Sequence, residues 1–111
     1  MFFPEGNVRV YYYAPSVDMR QSFTGLTGLT KHVLEEDPLS GHLFVFVNRT
    51  RNYIKTLYWD RTGFCIWAKR LEGGRFKFLE SEEKKQKLSW TEFKLVLEGI
   101  EVGKKRKRFS L

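Results

Sequence analysis

The side chains able to act as nucleophiles or metal ligands are few: one cysteine, Cys65, and two histidines, His32 and His42. Cys65 stands between Phe64 and Ile66 with no histidine near it in sequence. That is the setting of a buried structural thiol, not of an activated thiolate. His32 lies on a predicted helix and His42 at the start of a predicted strand. With no cysteine or carboxylate at ligand spacing they do not spell zinc. Asp18, Asp37 and Asp60 each fall at a predicted turn or cap, where a short acidic side chain bonds the local backbone. A two-metal nuclease needs carboxylates converging on one site, and the spacing supplies no such set. Gly73-Gly74 precedes no helix and so builds no phosphate loop. The expectation is a protein that is not an enzyme, with no catalytic residue, no metal site and no cofactor.

The chemistry that the sequence does offer is anion binding. The net charge is +7 over 111 residues, and it is unevenly placed. Residues 1–78 are basic, 79–103 are net acidic, and the last eight carry Lys104, Lys105, Arg106, Lys107 and Arg108 with no acid. A basic domain with a basic tail favours a polyanion, nucleic acid first. The plainer alternative is that the charge only keeps the protein soluble. Six cations of the body are candidates for a phosphate-contacting surface: Arg49, Arg51, Lys55, Arg70, Arg75 and Lys77. Arg20, in Asp18-Met19-Arg20, has two readings. It pairs locally with Asp18 or with Glu35 and Glu36, as an arginine near a helix start usually must, or it contacts phosphate.

What positions the six cations is residues 42–78. Runs of β-branched and aromatic residues (HLFVFVN, YIKTLYWD, FCIWAKRL, RFKF) alternate with turn signals, the pattern of a β-meander. Taking Arg49–Asn52 as the first loop puts Val47 opposite Ile54 and Val45 opposite Thr56. A second turn at Arg61-Thr62 puts Tyr58 opposite Cys65, Thr56 opposite Trp67 and Ile54 opposite Lys69. A Gly73-Gly74 hairpin then puts Leu71 opposite Phe76. Because side chains alternate across a strand, Lys55, Arg70, Arg75 and Lys77 come to one face at one end, beside Arg49 and Arg51.

Elsewhere, Val8–Tyr13 reads as a strand. Phe23, Leu26, Leu29, Val33 and Leu34 recur at helical spacing, giving a helix over 22–36 stopped by Pro38. Residues 79–88 are charged and read as a linker or an exposed, partly helical segment. Ser89 and Glu92 form a capping box for a helix over 90–98, with Gly99 as its stop. The fold class expected is α+β: an antiparallel β-meander sheet of about five strands with two helices packed on it. Residues 1–103 form one domain, followed by a tail, 104–111, expected to be disordered when free. With both sheet faces apolar and two helices to cover them, Phe44, Trp59 and Phe64 are expected to leave apolar surface for a partner or for self-association. A single cysteine, no signal-peptide pattern and no membrane-length apolar run suit the cytoplasm.

The set Asp18-Met19-Arg20, Phe23-x-Gly25-Leu26, Asp37-Pro38-x-Ser40-Gly41-His42-Leu43-Phe44-Val45-Phe46, the run from Ile54 to Cys65, Lys69-Arg70-Leu71-Glu72-x-Gly74-x-Phe76 and Leu97-Glu98-Gly99-Ile100 resembles the TnpB-type accessory protein of the IS66 insertion sequences. The resemblance runs nearly end to end. The Lys-Glu-rich segment 80–87 and the triple tyrosine 11–13 depart from it. The resemblance implies a part in DNA transposition beside a separate, larger transposase that carries the catalytic acidic residues. It supplies no catalytic residue for this chain.

Overall fold

The computed structural model describes residues 7–78 and 81–99. The elements in order are β1 (Val10–Tyr13), α1 (Phe23–His32), β2 (Leu43–Val47), β3 (Tyr53–Asp60), β4 (Gly63–Arg70), β5 (Lys85–Leu88) and α2 (Trp90–Leu97). They form one five-stranded sheet in the order β4-β3-β2-β1-β5. The β2-β3-β4 meander has the register that alternation predicts. Val45 lies opposite Thr56, Val47 opposite Ile54, Thr56 opposite Trp67 and Ile54 opposite Lys69.

Two features overturn the expected all-antiparallel meander. The first is β1, which pairs parallel to β2, with Val10 opposite Leu43. A parallel pair cannot be joined by a hairpin and needs a crossover. Helix α1 is that crossover, so the sheet is mixed. The second is the end of the meander. Arg75–Phe78 is not a strand, and the charged stretch expected to be a linker supplies β5 instead, antiparallel to β1. The topology explains both changes. β4 and β5 sit on opposite edges, so the chain after β4 must cross the whole sheet. Phe76 is buried on this crossing. Phe78 stacks on Tyr12, ring centroids 3.7 Å apart and nearly parallel. The alternation in Arg-Phe-Lys-Phe therefore serves a crossing segment with one wet side. β5 is polar because it is an edge: Leu88 is buried against the core, while Lys85 and Lys87 are exposed.

Each helix covers one face. On one side Leu26 and Leu34 pack with Tyr11, Val17, Phe44, Phe46 and Leu57. On the other, Phe93 and Val96 pack with Val10, Tyr12, Leu43, Val45, Val47 and Ile54. Phe44, expected at the surface, is fully buried. Trp59 and Phe64 are half-buried and meet edge to face at 5.0 Å. On the α2 side the crossing segment adds to the cover, with Phe76 buried and Phe78 partly buried in that cluster.

The helix ends are set locally. Helix α1 stops at His32, short of the expected residue 36, with Glu35 turning the chain at φ +58°. Helix α2 begins as its sequence predicts. The Ser89 hydroxyl accepts from the Glu92 N–H at 3.0 Å, and the Glu92 carboxylate accepts from the Ser89 N–H at 2.8 Å. Such a cap is worth about 1 kcal/mol. At the other end of α2, the Lys69 ammonium donates to the Leu97 carbonyl at 2.8 Å, a cation where the helix dipole favours one. This accounts for the single charge on an otherwise apolar sheet face.

His42 enters β2 as a strand-end acceptor. Its Nδ1 accepts from the Arg9 N–H at 3.0 Å. Burial, then the Arg9 charge, hold its pKa below the ordinary 6.5, with Glu36 opposing. A histidine with a depressed folded pKa contributes stability that is complete above its unfolded pKa and is lost as pH falls through the folded one. The expected result is therefore an imidazole titration by NMR with its midpoint below 6.5. The acid-side loss of stability in that window should disappear in His42→Gln. A midpoint at or above the ordinary value would contradict the burial of His42 beside Arg9.

Candidate nucleic-acid interface

Parallel β1 and β2 end at the same edge of the molecule, where β3 begins and β4 finishes. The loop after β2 is built from Asn48. Its side-chain oxygen accepts from the Asn52 and Tyr53 N–H groups, and its Nδ2 donates to Asn52 Oδ1 at 2.7 Å. The chain leaving β4 lies beside this loop. Leu71 N–H donates to the Asn52 carbonyl at 2.8 Å and Phe76 N–H to the Arg51 carbonyl at 2.7 Å. Gly74, at φ +81°, makes the reversal between them. This turn launches the crossing rather than a hairpin.

The six cations divide into two groups. Arg51 and Lys55 are turned inward. Arg51, at φ +63°, donates from Nη1 to the Tyr12 hydroxyl at 3.1 Å and to the Ala14 carbonyl at 2.9 Å. It thereby ties the loop to the end of β1. Burial pushes the Tyr12 phenol pKa up, and the Arg51 charge partly offsets this. Lys55 donates to the carbonyls of Met19 and Gln21 at 2.7 and 2.8 Å, pinning the segment that leads into α1. Arg49, Arg70, Arg75 and Lys77 are exposed. Arg70 lies over the Tyr53 ring, 4.8 Å from its centroid. Arg75 and Lys77 flank the buried Phe76 on the crossing segment.

These four do not share a sheet face. Arg70 belongs to the α1 side with Tyr53, and Arg75 and Lys77 lie on the crossing over the α2 side. What joins them is the end of the sheet, around the 48–52 loop. Lys84, exposed, reaches the same end, since its carbonyl accepts from the Ala14 N–H at 2.8 Å. The sequence signal for it was the Lys84-Lys85 doublet, which the linker assignment concealed. Lys85 is engaged with Glu36 and the Leu34 carbonyl. Glu72 is the acid on the adjoining turn. Lys104, Lys105, Arg106, Lys107 and Arg108 lie outside the described residues.

Arg20 takes the local reading. It donates to both Asp18 oxygens, and these bonds lower the Asp18 pKa to about 2. Cys65 is half-buried opposite Tyr58, whose phenol is pushed up by burial and by that thiol. Chemically, the end of the sheet offers guanidinium forks and ammonium groups on a rigid frame. Such groups contact phosphate oxygens and position a polyanion without reading bases.

No helix among the described residues is long and apolar enough to cross a membrane. The family described as IS66 Orf2 like protein matches residues 8–107. Two proteins of Sinorhizobium fredii are similar: the uncharacterized protein y4hO, 36% identical over 88% of this chain and 86% of its own length, and the uncharacterized protein y4jC, 31% identical over 91% and 86%. No solved structure matches. A family match reaching from before β1 to beyond α2, with relatives aligned over most of both chains, makes this protein a member of the IS66 Orf2-like family of transposition-associated accessory proteins.

Proposed function

We propose that the chain is a non-catalytic accessory protein of DNA transposition that binds nucleic acid through the basic end of its sheet. Arg49, Arg70, Arg75, Lys77 and Lys84 make the contacts, and the tail Lys104–Arg108 adds a sequence-independent tether. The observation that carries this reading is that five arginine and lysine side chains from four separate segments stay exposed at one end of the sheet, while Arg51 is used up in tying the 48–52 loop to β1 and Lys55 in pinning the segment before α1. Each exposed cation can neutralise a phosphate and release a counterion. The partner implied by the family is the larger transposase of the same element, acting in the cytoplasm.

A second reading has its own support. Arg70 lies over Tyr53, and arginine and tyrosine are both enriched at protein–protein hot spots. The basic end would then meet an acidic surface of the transposase, and the chain would assemble the complex without touching DNA. An electrophoretic shift of a duplex from the element's end separates the two. DNA binding predicts a shift with this chain alone, abolished by salt. A shift that appears only when transposase is added selects the assembly reading.

A further inference from the structure

Strand β4 is an edge of the sheet, eight residues long. The Leu71 N–H bond to Asn52 fixes its polarity. Hydrogen-bonded and non-hydrogen-bonded pairs alternate along an antiparallel ladder. The odd-numbered residues of β4 therefore turn their N–H and C=O groups toward β3. Phe64, Ile66, Ala68 and Arg70 turn theirs away from it, and among the described residues these groups meet no hydrogen-bond partner. Natural sheets guard such an edge with short length, charge, proline or a bulge. β4 has none of these before Lys69: Gly63 to Ala68 is uncharged and free of proline. Phe64, Cys65, Ile66 and Trp67 are only half-buried along it, and Ala68 is exposed.

The opposite edge is different. β5 is four residues long, with Lys85 and Lys87 exposed. A head-to-tail array joining β4 of one copy to β5 of the next would set an uncharged strand against a lysine edge. Closed twofold pairing of β4 with itself covers the uncharged edge of both copies at once and leaves the lysine-bearing β5 edges outermost. We propose that β4 pairs antiparallel with β4 of a second copy of this chain, joining two five-stranded sheets into one.

The sequence of β4 is self-complementary in this sense. Laid against itself over 64–70, it sets Ile66 against Ala68 and Phe64 against Arg70 of the other copy, so outward groups meet outward groups. Trp67 falls on the twofold, opposite its own counterpart, at an aromatic pairing position. Lys69 and Arg70 of the two copies go to opposite ends, whereas a parallel pairing would align them. Each copy keeps its basic end free, and the two basic ends face away from each other.

The test uses the full chain in light scattering coupled to size exclusion, over a range of concentrations. Ala68→Pro deletes an outward N–H without touching a β3–β4 bond, and proline is tolerated on an edge strand. Ala68→Lys places a charge on the same edge. Wild type is expected to run as two chains. Each variant should keep the wild-type circular dichroism and self-associate about tenfold more weakly or worse, the proline variant by losing one interstrand hydrogen bond per copy and the lysine variant by setting its charge against the seam. If proline disturbs the strand, the lysine variant decides. A wild type that stays a single chain throughout, or a dimer that survives in the folded variant, would overturn the proposal. In the first case the edge is open to a different protein.

Discussion

Phe93→Ala should lower the stability of the domain by about 3–5 kcal/mol, the usual cost of emptying a phenylalanine site in a packed core. Domains of this size have about 5–15 kcal/mol in total, so the variant should melt many degrees below wild type. The reason is positional. Phe93 is fully buried and, with Val96, is how α2 holds the face formed by Val10, Tyr12, Leu43, Val45 and Ile54. Phe23→Ala is the matched control. Phe23 also lies on a helix but is 47% exposed, and its loss should change stability by about 0.5 kcal/mol or less. Urea melts of the three proteins check this. Equal destabilisation by both changes would mean that the helices are not docked on the faces described.

The meander was legible in the sequence because its strands alternate and its turns are short. Once Arg49–Asn52 was taken as one loop and Arg61-Thr62 as the next turn, every pair from Val47–Ile54 to Tyr58–Cys65 followed. The capping box of α2 was legible for a similar reason, since Ser89 and Glu92 act over three residues. Non-local pairing was not legible. Nothing in Val10–Tyr13 says that its neighbour is β2 in a parallel sense, because tyrosines and valines suit either ladder. Lys85–Leu88 looked like a solvated charge run because an edge strand needs only one buried side chain, and here that is Leu88. Arg-Phe-Lys-Phe alternates like a strand, but the alternation serves a segment that crosses the sheet.

The candidate basic site was legible as a clustering of cations at one end of the sheet and not as a roster of exposed ones. Sequence register gathers Arg49, Arg51, Lys55, Arg70, Arg75 and Lys77 at one end. Only the side-chain directions show that Arg51 and Lys55 end on carbonyls and a phenol. The division has an energetic consequence. Arg51→Ala should destabilise the fold, because hydrogen bonds from a charged group are worth about 1.5–3 kcal/mol. It is therefore a poor probe of binding.

The informative variant is Arg49→Ala with Arg75→Ala and Lys77→Ala. All three side chains are exposed, and among the described residues none has a hydrogen-bond or ion-pair partner. Stability should be nearly unchanged. If each cation contacts one phosphate, the slope of log K against log salt should fall by about 2–3 units, at about 0.9 per contact on a duplex. Affinity at low salt should fall about tenfold or more.

The most direct test of the basic end as a nucleic-acid surface is that salt titration, run on wild type and the triple variant with the same duplex. A shallower line and weaker binding for the folded triple variant is the expected result. Parallel lines at equal affinity would show that this end of the sheet does not touch the nucleic acid.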